Sequence, residues 1–176
     1  SKDLEEIANK IANNLKIKHK NLDSNLEASS SETKMREARY EILYKELQED
    51  EILLMGHTLS DKVETFFINL LRGTRVRGLK SIPKMTGKVK RPLLGISKND
   101  LIDYAKENNI QYLDDETNFD NKIIRNWIRN ELIPKVDEKF TGNIEEKISN
   151  LIIEIESIFE STDLDFKYVK TAKGYV

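Results

Sequence analysis

The chain has 176 residues and a formal net charge of -2 at pH 7, with 38% hydrophobic and 34% charged residues. This composition supports one folded core and argues against a membrane protein, because no apolar run approaches the roughly 20 residues of a membrane helix. The absence of cysteine excludes disulfides, thiolate catalysis and cysteine-based zinc sites from these residues. No signal-peptide pattern opens the sequence, so we expect a cytoplasmic protein.

The first predicted elements are a helix, a strand, a loop and a second helix. Apolar residues at helical spacing predict a helix over residues 1–15, and alternation predicts a short strand at 17–22. A polar loop is expected over 23–31, followed by a helix over 31–48 with Ser31 as its N-cap. The expected buried stripe of that helix consists of Met35, Ala38, Ile42 and Leu43.

A strand, a tight turn and a helix come next. The continuous apolar run at 51–55 predicts a strand covered on both faces, and Gly56 leads into a helix over 59–71. Such a unit is typical of a parallel sheet. The residues expected to face inward from the helix are Val63, Phe66, Phe67, Leu70 and Leu71.

The second half of the chain predicts further helices around a basic connector. In order, the expected elements are a connector over 73–91, an extended segment within 88–94, a helix from the cap Ser97 to Asn108, a strand at 110–112, an acidic loop over 113–121, a helix from 123 to Pro134 and a long helix over 144–159.

His57, Asp61 and Glu64 form the densest polar group. They follow the strand at 51–55, where parallel sheets place their ligands, and their helical spacing lets all three face one crevice. Such a trio suits an amine or a metal-bound phosphate, with one member accepting a proton. The alternative is that His57 caps the helix and that the acids are ordinary first-turn charges.

Two arginine pairs could each meet an anion. Arg36 and Arg39 share one helix face, as do Arg125 and Arg129. Arg36 and Arg39 could instead pair with neighbouring glutamates on a solvated helix. Trp127, between the second pair, is expected in the core, with a base-stacking role as the alternative.

The basic segment, residues 72–91, carries basic side chains and no acid. Its members are Arg72, Arg75, Arg77, Lys80, Lys84, Lys88, Lys90 and Arg91. A cationic stretch on an acidic chain is suited to phosphate backbones, whereas the alternative is a solvated loop. Base stacking is not indicated, because no aromatic residue interrupts the segment.

Several motifs follow one another along residues 1–140. They are E-x-x-x-R-x-x-R-Y from Glu32, G-H-x-x-x-D-x-x-E-T from Gly56, L-L-R-G-x-x-x-R-G-L from Leu70, R-P-L-L from Arg91, D-x-x-N from Asp115 and R-N-x-I-R-x-E-L-I-P from Arg125. In sequence and order they resemble the N-terminal domain of the bacterial tRNA(Ile)-lysidine synthetase family. The resemblance implies an α/β fold with a Rossmann-like parallel sheet of the N-type ATP pyrophosphatase type.

The family's reaction is the ATP-dependent joining of free lysine to tRNA-Ile. The C2 carbonyl oxygen of the cytidine at the first anticodon position is adenylated, and the ε-amine of lysine then displaces AMP. The resemblance therefore implies ATP and Mg²⁺ as cofactors, tRNA-Ile and lysine as partners, and it also allows a homodimer. Alternative functions are a different tRNA-modifying ATP pyrophosphatase, such as a thiolating one, and a non-catalytic tRNA-binding module.

By resemblance, Arg39 and its neighbour Arg36 are expected near the ATP phosphates, together with Arg129 or, as a second choice, Arg125. The catalytic trio is His57, Asp61 and Glu64, with the two carboxylates holding the lysine ammonium. The side chains expected to contact tRNA are Arg72, Arg75, Arg77, Lys80, Lys84 and Arg91.

The family's ATP-binding loop, S-G-G-x-D-S, does not occur in these residues. We therefore expect a fold incomplete at its N-terminus, with a partial ATPase domain over 1–95, the end of the catalytic domain over 96–140 and a helical extension over 141–176. Without the backbone nest of that loop, we expect no catalysis from the chain alone.

Overall fold

The structure, a computed structural model, describes residues 2–23, 32–113, 116–140, 142–162, 170–171 and 174–175. Its helices are α1 (Lys2–Asn14), α2 (Glu32–Glu46), α3 (Leu59–Leu71), α4 (Lys98–Glu107), α5 (Ile124–Trp127), α6 (Ile133–Lys139) and α7 (Ile144–Thr162). Its strands are β1 (Leu53–Leu54), β2 (Met85–Thr86), β3 (Val89–Lys90), β4 (Lys170–Thr171) and β5 (Gly174–Tyr175). Short 3₁₀ helices cover Val76–Lys80 and Glu116–Phe119, and a π-helical turn covers Ile128–Leu132.

The central sheet has the order β1-β3-β2, in which β1 and β3 are parallel and β2 is antiparallel to β3. The predicted strand–turn–helix unit is therefore confirmed, and of the extended segment expected within 88–94 only Val89–Lys90 forms a strand. The expectation that the first strand is covered on both faces is wrong, because β1 is a two-residue strand at the edge of the sheet and Leu54 is 61% exposed. A separate hairpin pairs β4 with β5.

The core forms around α3. Val63 and Ile68 pack with Ile128 and Ile133 in one buried cluster, and α7 lies against α3. The inward prediction holds for Val63 and Phe66 but fails for Leu70 and Leu71, which are 47% and 63% exposed because the helix ends there at the surface. The predicted stripe of α2 is likewise not a buried one: Met35 is exposed, and Ala38, Ile42 and Leu43 are half-buried.

Two predicted strands are absent from the described residues. Residues 17–22 and 110–112 run as irregular backbone, because neither finds a neighbouring strand with which to complete a ladder. The predicted cap Ser31, the loop residues 24–31 and Asp115 lie outside the described residues. Across the described ranges, no helix has the length and apolar character needed to cross a bilayer.

The predicted helix from 123 to Pro134 is longer and less regular than expected. It starts as α5, passes through the π-helical turn and continues as α6 to Lys139, with Pro134 in the first turn of α6. Proline lacks an N–H donor, and the widened turn before it already shifts the backbone ladder, so the helix continues through it. Trp127 is 40% exposed, so its expected place in the core is wrong.

Candidate active site

The start of α3 is held by a reciprocal cap. The Thr58 hydroxyl accepts from the Asp61 backbone N–H at 3.4 Å, and Asp61 Oδ2 accepts from the Thr58 backbone N–H at 2.8 Å. The N-cap is therefore Thr58 and not His57, whereas Asp61 does serve as the first-turn acid that the alternative interpretation required. This arrangement leaves Asp61 Oδ1 facing two guanidinium groups, 3.8 Å from Arg125 Nη1 and 3.9 Å from Arg129 Nη2.

Glu64 is the buried member of the same group. Its side chain is 1% exposed, and it accepts from Arg129 through two bonds, 2.6 Å from Nε to Oε1 and 3.0 Å from Nη2 to Oε2. Arg125 Nη1 lies 3.5 Å from Oε2. Two parallel bonds from one guanidinium to one carboxylate have the geometry of a strong ion pair.

Burial raises the pKa of the Glu64 carboxyl, and the hydrogen bond and charge of Arg129 offset part of that increase. Burial also acts to lower the pKa of the Arg129 guanidinium, but its hydrogen bond to Glu64 and the carboxylate charges outweigh burial, so that pKa is raised. The bidentate contact favours the doubly charged form of the pair.

Neutral polar groups hold the two arginines in place. Arg129 Nη1 donates to Asn118 Oδ1 at 3.2 Å, and the Asn130 side-chain amide donates to the Asn118 carbonyl at 3.0 Å. Arg125 Nη2 lies 3.5 Å from Thr65 Oγ1, whose hydroxyl donates to the Asp61 carbonyl. Sequence reasoning assigned no role to Thr65 or Asn130, although the D-x-x-N motif did contain Asn118.

We call Asp61, Glu64, Arg125 and Arg129 the acidic–basic cluster. Its two carboxylates and two guanidinium groups balance in charge. Both oxygens of Glu64 are occupied by arginine, so Glu64 in this structure positions Arg129 and does not face a ligand. Asp61, with 24% of its side chain exposed, is the carboxylate of the cluster that reaches the surface.

A cavity of about 340 Å³ adjoins the acidic–basic cluster. Its lining residues are Thr58, Asp61, Lys98, Leu101, Ile102, Ala105, Tyr112 and Arg129. From α4 the cavity receives the apolar side chains Leu101, Ile102 and Ala105 and the cation Lys98, while Asp61 and Arg129 add a carboxylate and a guanidinium. Such a cavity suits a ligand with an apolar body and a polar end.

His57 lies beside the cluster and is half-buried, and its buried Nδ1 has no hydrogen-bond partner among the residues that the structure describes. Burial lowers the pKa of the imidazole, and the charges of Arg91, Arg36 and Arg125 lower it further, against the opposing charge of Asp61. The neutral imidazole is therefore favoured, which is the form that can accept a proton. Arg36 and Arg39 are both exposed on α2.

The structure distinguishes exposed side chains of the basic segment from those that contact other parts of the molecule. Arg72, Arg75, Lys84 and Lys90 are exposed, while Arg77 and Lys80 lie over the Phe159 ring of α7, 5.2 and 5.1 Å from its centroid. Lys88 donates to the backbone carbonyls of Gln48 and Glu49.

Arg91 is the exception within the segment, because it is only 6% exposed. Its guanidinium donates to the Pro83 carbonyl at 2.9 Å and to the Tyr40 hydroxyl at 3.3 Å. The prediction that Arg91 contacts tRNA therefore conflicts with its position, since the R-P-L-L motif buries this side chain behind the surface.

Mg²⁺ finds no ready site among the described residues, where no group of three or more histidine, aspartate or glutamate side chains could hold a metal ion. The carboxylates Asp61 and Glu64 already face arginines. The residues present thus do not fit a resident Mg²⁺, which requires several oxygen ligands.

The parallel strand pair, with charged side chains collected beyond its carboxyl end, has the arrangement at which α/β proteins bind their ligands. A family model described as the PP-loop domain matches residues 1–136, and the chain therefore belongs to this family. Its fold is that of the N-type ATP pyrophosphatases, with a small mixed sheet and many helices.

Within this family the chain is similar to tRNA(Ile)-lysidine synthases. It is 39% identical to that of Coxiella burnetii over 139 residues, which cover 75% of this chain and 31% of the relative. The chloroplastic protein of Gracilaria tenuistipitata is 37% identical over 129 residues, covering 69% of this chain and 40% of the relative. The chain thus spans about a third of the length of the curated relatives it matches.

Among solved structures, the U34-tRNA thiolase NcsA from Methanococcus maripaludis, determined with its [4Fe-4S] cluster, matches with a TM-score of 0.64. The match covers 90% of this chain and 58% of that chain at 20% identity, so it supports the fold alone.

Proposed function

We propose that these residues form part of a tRNA(Ile)-lysidine synthase. In the proposed reaction, the C2 oxygen of the first anticodon cytidine attacks the α-phosphorus of ATP and pyrophosphate leaves. The ε-amine of lysine then forms a bond to C2, the C2–O bond breaks, and AMP leaves as the amine loses a proton. The identity to curated lysidine synthases supports this assignment over other tRNA modifications.

The observation that carries the proposal is the contact between Glu64 and Arg129. These residues come from two motifs, G-H-x-x-x-D-x-x-E-T and R-N-x-I-R, that resemble the lysidine-forming family. Their side chains form a bidentate pair although they are 65 positions apart. The motifs thus converge in one cluster, beside a cavity with an apolar wall and a carboxylate at its edge.

In the proposed mechanism, Arg36, Arg39 and Arg129 oppose the negative charge of the phosphates, with Arg125 as the further candidate. Asp61 attracts the lysine ammonium from the cavity, and the neutral His57 imidazole accepts the proton that the amine loses. The exposed side chains of the basic segment contact the tRNA backbone, with Arg91 withdrawn from that surface. These residues would bind ATP as the substrate, and any Mg²⁺ ion would be coordinated mainly by the phosphate oxygens.

The natural gene product that contains this chain should join labelled lysine to a tRNA-Ile transcript and release AMP in a lysine-dependent manner. Asp61→Asn should abolish lysine transfer and leave tRNA binding within about twofold, because Asp61 lies in the cluster and not in the basic segment. Asp103→Asn, at an exposed position on α4, is the matched control. Loss of tRNA binding in a folded Asp61→Asn protein would contradict the role assigned to Asp61.

Two other functions fit the same fold. A thiolating PP-loop enzyme would incorporate sulfur into tRNA, and the fold of the Methanococcus thiolase is compatible with this outcome. The described residues contain no cysteine to carry sulfur. A non-catalytic module would bind tRNA without consuming ATP in any form of the gene product.

We also expect that the 176 residues alone do not exchange pyrophosphate with ATP, because no S-G-G-x-D-S loop occurs among them. Measurable exchange by the isolated chain would contradict that expectation. We also propose domain boundaries at residues 95 and 140, a homodimer and a cytoplasmic location. Limited proteolysis would test the boundaries, and sedimentation would test the homodimer.

A further inference from the structure

The 3₁₀ helix Val76–Lys80, which we call the 3₁₀ turn, lies in the middle of the basic segment and is anchored to α3. Asn69 Nδ2 donates to the Gly78 carbonyl at 2.9 Å, and the Ser81 hydroxyl donates to the carbonyl of Lys62. Ser81 has a φ of 61°, which a residue other than glycine keeps only where its surroundings enforce it. These anchors argue against a mobile, solvated loop at this point of the basic segment.

α7 contacts the same 3₁₀ turn through an aromatic ring. The centroid of the Phe159 ring lies 5.2 Å from the guanidinium carbon of Arg77 and 5.1 Å from Lys80 Nζ. A cation within about 6 Å of the face of an aromatic ring is attracted by the negative charge of that face. One side chain of α7 thus holds two cations of the basic segment.

A buried ion pair fixes α7 against α3. Lys62 Nζ lies 3.2 Å from Glu156 Oε1, and the Lys62 side chain is only 5% exposed. An ammonium group buried to this degree requires an acceptor, because a buried charge without one is costly. Since the carbonyl of Lys62 also accepts from Ser81, this residue of α3 joins α7 to the end of the 3₁₀ turn.

α7 is itself unsuited to contact a phosphate backbone, because it carries five acidic residues and one lysine. A cavity of about 370 Å³ lies between α7 and the basic segment. Its wall includes Lys80 and Lys84 from the segment and Glu156 and Glu160 from α7. Because acidic side chains repel phosphate, α7 contributes the position of the segment and not contacts with a polyanion.

We propose that α7 holds the basic segment as a preformed cationic surface for an RNA phosphate backbone, with Phe159 as the positioning residue. Arg72 ends α3, and the Arg75 carbonyl accepts from the Gly78 N–H at 2.8 Å, so both exposed cations are tied to the anchored 3₁₀ turn. RNA then binds without first ordering a mobile loop. RNA as the partner rests on the proposed function, whereas the contact between α7 and the segment does not.

Phe159→Leu keeps an apolar side chain but removes the aromatic face. Binding of a labelled RNA hairpin to the 176-residue chain, followed by fluorescence anisotropy, should weaken by about tenfold, the effect of losing two exposed cation–π contacts. Phe159→Tyr keeps the aromatic face and should bind within about twofold of wild type. Phe140→Leu, the same substitution at an exposed phenylalanine that follows α6, is the matched control and should also stay within about twofold.

Two further measurements separate positioning from a general loss of stability. In a chain that carries Arg77→Gln and Lys80→Gln, adding Phe159→Leu should weaken RNA binding by less than a further factor of about two, because the contacts it removes are already absent. In Phe159→Leu alone, the slope of log affinity against log salt should stay that of wild type, since the uncharged ring meets no phosphate. Arg75→Gln, by contrast, should reduce that slope by about one.

Three results would overturn the proposal: wild-type RNA affinity in Phe159→Leu, equal weakening by Phe159→Leu and Phe140→Leu, or a tenfold effect of Phe159→Leu that persists in the chain without the two cations. Unchanged RNA affinity in Arg72→Gln and Arg75→Gln would reject the RNA contact of the segment and the proposal with it.

Lysine incorporation by the natural gene product is measured separately. Its failure, with the effect of Phe159→Leu retained, would reject the proposed function and leave the role of α7 in place. Circular dichroism checks that each variant is folded under the conditions of the binding assay. Phe159→Met, which fills similar space with a flexible apolar side chain, keeps the test decisive if Phe159→Leu does not fold.

Discussion

Two charged regions lie near each other in this molecule, and they differ in how their buried charges are compensated. In the acidic–basic cluster, Glu64 is fully enclosed and both of its oxygens accept from Arg129. At the ends of β1 and β3, Arg91 is nearly as buried, yet within the described ranges its donors meet only neutral oxygens and its Nε meets no acceptor. The first region compensates its charges internally, whereas the second does not.

This difference separates an ion pair that joins two elements from a buried cation whose charge the described residues do not offset. The charge-balanced cluster holds α3 against α5 and the π-helical turn. An uncompensated cation near the surface lowers the free energy of any anion that approaches it. Motif membership does not reveal the distinction, since both regions consist of residues from the same set of motifs.

The largest expected loss of stability comes from a substitution at Glu64. Glu64→Gln keeps the shape of the side chain but leaves two guanidinium groups without their carboxylate, so we expect the free energy of unfolding to fall by about 2–4 kcal/mol. The figure is below that for a fully enclosed pair because Arg129 is 26% exposed. Urea denaturation measures the loss. Glu41→Gln, which removes an exposed pair with Lys45, should cost less than about 0.5 kcal/mol, and equal losses would contradict the comparison.

Arg91→Met tests the uncompensated region and should have a smaller effect. The substitution leaves the Pro83 carbonyl and the Tyr40 hydroxyl without a donor, which costs about 1–3 kcal/mol, while removal of a buried charge offsets part of the loss. Thermal and urea unfolding should therefore rank this variant between wild type and Glu64→Gln. Arg72→Met, at an exposed position, should change stability by less than about 0.5 kcal/mol. A loss larger than that of Glu64→Gln would show that Arg91 is the better compensated of the two.

The smallest expected effect is a change in the pH dependence of stability when His57 is replaced. Burial lowers the pKa of its imidazole in the folded state, so the unfolded chain binds the proton more readily. The free energy of unfolding therefore gains a contribution from His57 at higher pH and loses it as pH falls below about 6.5, the ordinary value for histidine. His57→Gln should flatten the dependence of the urea midpoint on pH between about 7.5 and 5. Parallel curves for the variant and wild type would contradict the cause assigned to this pKa.

Local sequence signals predicted the fold where they were strong. The Ser97–Asp100 cap and the start of α4 are confirmed, because a capping box depends only on nearby residues. The strands at 17–22 and 110–112 failed, since alternation indicates a tendency that only a neighbouring strand can satisfy. Likewise, the burial of Leu71 and Trp127 depends on which elements lie opposite, and periodicity does not report this.

The candidate site was predictable in membership but not in pairing. Spacing placed Asp61 and Glu64 on one helix face, and the structure agrees that both face one cluster. Nothing in the sequence indicated that Arg129, 65 positions away, would form an ion pair with Glu64. Arg91 shows the same limit, because a basic residue in a basic segment reads as exposed until its contacts with Pro83 and Tyr40 are known.

The π-helical turn at Ile128–Leu132 changes the phase between the two ends of one helix. It contains the equivalent of one inserted residue, so the face that follows it is rotated by about 100° relative to an uninterrupted α-helix. The widened turn places Ile128 and Ile133 in the same core cluster, while Arg129, between them, points toward Glu64. One inserted residue therefore lets a single helix contribute to the hydrophobic interior at both ends of the turn and to the ionic cluster in between.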